Sequence, residues 1–253
     1  MNKESAISLF WAFFKTIGYL FLYIFFGLIL DSQYMADIFP QTQHLATLAL
    51  LIGFIIVYRR SASRQRELML YAVAIGVFGE YLFSVGLGMY TYRLENVPMY
   101  IPLGHAIVLV AVIYFCKKPI VKEYRKQLEK VFTAFVFIYA TLFLIIAHDV
   151  FGFVMSMLVI YLLRNKPRER LFYLSMYIAI AFLEIVGTNY GCWYWPETAF
   201  DVVPFLESAN PPSGISLFYF LLDLGSLWFY KKRHKIAWKR MKQIRFLREK
   251  ANN

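Results

Sequence analysis

Glu80-Tyr-Leu-Phe-Ser84-Val-Gly-Leu-Gly88-Met-Tyr90-Thr-Tyr92 and Glu184-Ile-Val-Gly-Thr188-Asn-Tyr-Gly191-Cys-Trp193-Tyr-Trp195 are near-copies of one pattern. In each, about a dozen mostly apolar residues precede the acid, a hydroxyl follows at i+4 on the same helical face, and then come a glycine and two aromatics spaced by two. An apolar run of this kind reads as a membrane helix. A carboxyl inside one costs roughly 2.5–3.5 kcal/mol on insertion scales, so an intramembrane acid is taken as functional by default. Finding the setting twice makes accident a poorer explanation.

Composition points the same way. Of 253 residues, 60% are hydrophobic and 19% aromatic, and the mean hydropathy of +0.52 is too high for a soluble domain. The net charge of +11 does not imply nucleic acid, because Lys and Arg gather in loops and in the tail after Tyr230. That distribution is first a topology signal.

Eight membrane segments are expected, at roughly 7–30, 44–58, 68–90, 99–116, 131–147, 149–163, 171–190 and 214–230. The second and sixth fall short of the ~20 residues of a full span, so a tilt, a break or a thin bilayer is expected there. Basic residues cluster at Arg59 to Arg66, Lys117 to Lys130, Arg164 to Arg170 and Lys231 to Lys250. The opposite loops, Asp31 to Gln43, Leu94 to Pro98, the His148-Asp149 corner and Cys192 to Pro212, contain neither Lys nor Arg, and Arg93 is the one basic residue on that side. The positive-inside rule then places both termini in the cytoplasm, with the chain multi-pass in the cell inner membrane.

Four spans per half let the halves lie parallel, related by a pseudo-two-fold axis along the membrane normal. The basic loop before the third segment corresponds to the one before the seventh. The expected fold is thus an all-α integral membrane domain over 1–232, made of repeats at about 1–118 and 130–232, with a basic cytoplasmic tail over 233–253. The first apolar stretch exceeds twenty residues and lacks a small-residue cleavage site, so it reads as a span and not a signal peptide. Cys116 and Cys192 fall on opposite sides of the membrane in this topology and cannot pair.

Several chemistries are absent from the sequence: no Walker loop, no G-x-G-x-x-G opening a helix, no H-E-x-x-H and no G-x-S-x-G. The four histidines lack ligand spacing, which disfavours histidine-box metal chemistry. His105 and the His148-Asp149 corner read first as interfacial or hydrogen-bonded groups, and Asp223 is a third mid-membrane acid. The plainest account of the acids is helix–helix hydrogen bonding, with Ser84 or Thr188 serving a protonated carboxyl. The plainest account of the aromatics is the interfacial belt of any membrane protein. Three acids at similar depth, two in repeated motifs, favour a site.

Glu184 through Gly191, Glu80 through Tyr92, and Val97-Pro98 through Ile101-Pro102 resemble the signature of the bacterial and archaeal membrane carotenoid hydratases. That signature runs from an intramembrane Glu through Gly to Tyr-x-Tyr and a Val-Pro…Ile-Pro segment. The aromatic-then-proline pattern is also similar to that of the integral membrane lycopene cyclases. In this chain Trp193 and Trp195 stand in for the tyrosines of the second copy, and the acids that lycopene cyclases carry near the proline are missing at Pro102 and Pro212.

The resemblance implies acid-catalysed hydration or cyclisation of an isoprenoid or carotenoid-like lipid, a route that needs no metal or redox cofactor. An apolar site disfavours the charged carboxylate, so a buried acid can hold a transferable proton. Protonating a polyene gives a carbocation that aromatic faces stabilise; water capture then yields an alcohol, and internal alkene attack yields a ring. Glu80 and Glu184 are expected as proton donor and relay, in either order, with Asp223 as a third candidate. Ser84, Tyr90, Tyr92, His105, Thr188, Asn189, Trp193 and Trp195 are expected to line the substrate site. The expected partner is a membrane lipid or isoprenoid, not nucleic acid. A small proton-coupled transporter or lipid flippase is the alternative, and a non-enzymatic membrane scaffold the third.

Overall fold

The structure, a computed structural model, describes residues 3–39 and 41–251. Met1, Asn2, Asn252 and Asn253, the ends that the topology places in the cytoplasm, lie outside the described residues. The first apolar run is continuous helix, α1 (Lys3–Phe13) passing through a π-helical turn at Phe14–Gly18 into α2 (Tyr19–Ile29). The short α3 (Gln33–Ile38) follows, with the Ser32 hydroxyl accepting from the Met35 N–H at 3.2 Å as its N-cap. Next are α4 (Thr42–Arg60) and α5 (Ser63–Glu80), the latter running on as a second π-helical turn at Tyr81–Gly86 before the two-residue strand β1 (Thr91–Tyr92).

α6 (Tyr100–Lys117), the short α7 (Pro119–Glu123), α8 (Arg125–Ala147), α9 (Val150–Leu163) and α10 (Arg170–Asn189) lead to β2 (Trp193–Tyr194). A small hairpin of β3 (Thr198–Ala199) and β4 (Val203–Glu207) precedes α11 (Ser216–Arg233) and α12 (Lys235–Ala251). Between α8 and α9, His148 takes the left-handed conformation (φ 54°) as C-cap and is exposed, while the buried Asp149 caps α9 through the Gly152 N–H at 3.1 Å.

Among the described residues, six helices are long and apolar enough to cross a membrane: Glu4–Ile38, Thr42–Arg60, Ser63–Gly86, Tyr100–Lys117, Arg125–Ala147 and Arg170–Asn189. Val150–Leu163 is a shorter apolar helix. Among the described residues, length and apolarity thus mark six candidate spans of the eight expected. α9 is too short, and α11 carries Asp223 and ends in Lys231, Lys232 and Arg233. Large apolar side chains such as Phe26, Phe78, Ile145 and Ile146 face outward, as lipid contact requires and an aqueous surface does not tolerate in such number.

α6 and α10 form the interior, with 61% and 67% of their most apolar stretch buried, against 17% to 33% for the other four spans. α5 packs on α6 and α11, and α10 on α6 and α11, so these four helices make a closed central group. Arg66 donates to the carbonyls of Tyr58 (3.0 Å), Arg59 (2.7 Å) and Ser61 (2.7 Å), tying off the loop before α5. Arg170 does the same before α10, donating to the carbonyls of Leu163 (3.0 Å) and Arg164. Each arginine stands fourteen residues before its glutamate, Glu80 or Glu184.

At the other end, Asp31 and Asp149 are fully buried corner acids. Asp31 accepts from the Arg93 guanidinium at 2.5 Å and from the Tyr100 hydroxyl at 2.7 Å, while Asp149 accepts from the Ala209 and Ser213 N–H groups at 3.1 and 2.7 Å. The loops that follow the two glutamate-bearing helices are therefore anchored on one side, and the arginine-tied loops lie on the other. In a cysteine-free background, an impermeant maleimide that labels the exposed Glu197→Cys in intact membranes should label the exposed Glu123→Cys only after permeabilisation, or the reverse. Labelling of both from one side would contradict this arrangement.

Candidate functional site

All four helices of the central group contribute to a polar cluster in the interior: Glu80 from α5, His105 from α6, Glu184 from α10, and both Tyr219 and Asp223 from α11. Glu80 and Glu184 are 4% and 1% exposed, so their oxygens depend on donors within the protein. Each finds them in its own copy of the motif. The Tyr90 and Tyr92 hydroxyls both donate to Glu80 Oε2 at 2.5 Å. The Trp193 and Trp195 indole N–H groups donate to Glu184 Oε2 at 2.8 and 3.0 Å, and the Tyr219 hydroxyl donates to Oε1 at 2.7 Å. Burial holds the Tyr92 hydroxyl well above its ordinary range, which keeps it a donor.

Local backbone geometry brings each pair back over its acid. After the helix, Gly88 and Gly191 adopt left-handed φ of 60° and 68°, where an L side chain is strained. The chain then extends, and residues spaced by two point the same way. β1 and β2 pair antiparallel, Thr91 opposite Tyr194 and Tyr92 opposite Trp193, so the two motifs meet as one ribbon. Tyr90 lies against Trp195 with ring centroids 4.5 Å apart, and Tyr92 against Trp193 at 6.2 Å. The first copy is one residue longer between acid and glycine, and the π-helical turn at Tyr81–Gly86 takes up that residue, since each π turn holds one more than an α turn. Trp193 also fits only because Gly187 lacks a side chain: a Cβ there would collide with the indole ring.

The expected residues separate into two groups. Glu80, Glu184, Asp223, Tyr90, Tyr92, His105, Trp193 and Trp195 are all buried in or beside the cluster. Ser84, Thr188 and Asn189 do not reach the carboxyls. Ser84 donates to the Tyr90 carbonyl at 3.0 Å and steadies the turn. Thr188 donates to the Glu184 carbonyl at 2.8 Å, and the exposed Asn189 to the Ile185 carbonyl at 2.7 Å, both within their own helix. The i+4 hydroxyl thus satisfies backbone rather than acid, a common fate of Ser and Thr in apolar helices. Tyr219, the third donor to Glu184, was not among the expected residues. Its position four residues before Asp223 on α11, on the same helical face, is the signal that marks it.

His105 Nε2 stands 3.2 Å from Asp223 Oδ1, in a geometry short of a hydrogen bond, and among the described residues these four polar atoms have no hydrogen-bond partner. The glutamates lie within electrostatic reach of each other, and His105 within reach of Glu80. A cleft between α2, α4, α6 and α10, with about 540 Å³ of non-atom space, part of it open to solvent, is lined by residues that include Tyr23, Tyr100, His105, Leu183 and Tyr219. Its walls are almost wholly apolar.

Cys116 and Cys192 are free; Cys192 is buried near the Leu28 and Asp31 carbonyls, and burial pushes its thiol up, so it is unreactive. Among the described residues no group of three or more His, Cys, Asp and Glu side chains is placed to hold a metal ion. Compared with known proteins, the chain matches no family model, no curated protein and no solved structure.

The crowding at Gly187 gives a direct test of the ring-to-acid contact. Gly187→Ala should displace the Trp193 indole and leave Glu184 short of a donor, costing about 1–3 kcal/mol. Thermal melts in detergent should show a lower Tm for Gly187→Ala, whereas the same substitution added to Trp193→Ala should cost little further, because the ring it collides with is already gone. A Tm equal to that of the unmodified protein would mean that the indole does not occupy this space.

Proposed function

We propose that the chain is an eight-span protein of the cell inner membrane, built from two parallel four-helix repeats, that protonates a carbon–carbon double bond of an isoprenoid or carotenoid-like lipid. The observation that carries the reading is the Glu184–Tyr219 hydrogen bond of 2.7 Å, because Tyr219 lines the apolar cleft and so connects it to Glu184, which does not line it. α9 and α11 supply the two spans beyond the six that length alone gives. Support for the duplication comes from Arg66 and Arg170 at equal distance from their acids, from Gly88 and Gly191 in the same conformation, and from the β1–β2 ribbon, in which the Thr91–Tyr194 pair lies on the local axis. The Arg59–Arg66 and Lys231–Lys250 clusters then place both termini in the cytoplasm.

A polyene lying in the cleft meets the Tyr219 hydroxyl. When Glu184 is protonated its hydrogen bond with Tyr219 reverses, the carboxyl O–H donating to the Tyr219 oxygen, so that the phenol proton is free to pass to an alkene carbon while the phenol oxygen takes the proton of Glu184; Glu184 is left as a carboxylate and the lipid as a carbocation. Tyr23 and Tyr100 present ring surface along the cleft, where cation–π attraction of about 2 kcal/mol or more per desolvated contact lowers the energy of the carbocation. Glu80, linked to Glu184 by charge and by the stacked aromatic ribbon, tunes the second carboxyl and shares its proton. Addition of water or loss of a proton closes the cycle as an alcohol or a ring, and returns one proton to the glutamates.

Glu80→Gln and Glu184→Gln keep shape and most hydrogen bonds but remove the transferable proton. In membranes supplied with an acyclic polyene, Glu184→Gln should reduce product by about 100-fold or more and Glu80→Gln by at least about ten-fold, with both proteins still folded. Product from both variants at the unmodified rate would eliminate acid catalysis. Substrate moved across the membrane but recovered chemically unchanged would support a proton-coupled transporter instead.

A further inference from the structure

Asp223 and His105 are the buried polar groups that the acid step leaves without a role. His105 Nε2 and Asp223 Oδ1 face each other at 3.2 Å, while His105 Nδ1 and Asp223 Oδ2 are enclosed with no partner among the described residues, a state that buried polar atoms commonly resolve by holding water or an ion. Two spaces meet at this pair. His105 lines the apolar cleft, whereas Asp223 lies in the wall of a second cavity that includes Arg64, Gln65, Lys117 and Arg168. The second cavity has about 770 Å³ of non-atom space, part of it open to solvent, and its apolar wall carries charged and polar side chains, so it has room and partners for several waters. Its basic residues come from the first turn of α5, the end of α6 and the loop before α10, all on the arginine-rich side.

We propose that this vestibule is a solvent inlet, which carries water from the basic face of the protein to the Asp223–His105 pair at the foot of the cleft. Asp223 and His105 hold the innermost water between them. On the reading given under Proposed function, which this inference deepens, that water is the co-reactant: its oxygen bonds to the lipid carbocation, one of its protons stays on the new hydroxyl, and the other passes to the Asp223–His105 pair and back toward Glu184. The sum is alkene plus water giving alcohol, with no proton consumed. An apolar cleft fed only by lipid has no such supply, so the inlet makes the product an alcohol rather than a ring.

Two measurements decide this. With Cys116 and Cys192 replaced by serine, Leu227→Cys in the vestibule wall and Leu183→Cys in the cleft are exposed to an anionic methanethiosulfonate from the basic face. A water-filled vestibule predicts reaction at position 227 faster by about ten-fold or more, because charged reagents do not enter apolar space. Equal or slower reaction there overturns the inlet. Blocking the vestibule by that same modification should then cut alcohol formation by about ten-fold while rearranged, water-free product persists; undiminished alcohol would overturn the inlet's part in the reaction. If the unblocked protein converts no polyene at all, acid catalysis fails, and the labelling rates alone decide the inlet.

Discussion

A carboxyl buried among apolar helices must find its hydrogen-bond donors inside the protein, and Glu80 and Glu184 impose that requirement on everything around them. Each acid is answered by two aromatics from its own chain segment, ten and twelve residues on for Glu80 and nine and eleven on for Glu184. To return there the chain needs a left-handed glycine and an extended pair of residues. Two such returns side by side make the β1–β2 ribbon, which joins the two motifs directly. Without the acids the ribbon has no reason to turn inward.

The outer parts of the molecule hold this centre in place from both ends. Arg66 and Arg170 tie the loops that begin the acid-bearing helices, and Asp31 and Asp149 anchor the loops that follow them. An unpaired buried Asp31 would be costly, about 3–5 kcal/mol for loss of a partner, so Arg93 is best understood as the counter-charge that lets a corner acid lie inside. Between these two layers the cluster faces an apolar cleft on one side and a basic vestibule on the other. Such a boundary suits chemistry that joins a lipid to a small polar reactant.

Much of this was legible in the sequence, because the acids, the glycines and the aromatic spacing are all local features. The likeness of the two motifs could be seen, but their register could not: the extra residue between Glu80 and Gly88 disappears into a π-helical turn that no residue type announces. Thr188 and Asn189 were expected in the site from their spacing, yet each bonds its own helix, since a carbonyl four residues back is nearer than any carboxyl. Tyr219 was not expected because its partner lies 35 residues away, and only tertiary packing joins them. Length and apolarity mark six of the eight expected spans and leave two unmarked, because α9 is short and α11 interrupts its apolar run with an acid.

Proton transfer from the glutamate cluster to a lipid carbon is the central claim, and isotope incorporation tests it most directly. Membranes containing the protein are incubated in D2O with an acyclic polyene, and the recovered lipid is analysed by mass spectrometry after back-exchange of hydroxyl protons. Acid catalysis predicts a product that retains deuterium on carbon, formed by the unmodified protein and lost with Glu184→Gln. A lipid recovered from the unmodified protein without carbon-bound deuterium would contradict the account.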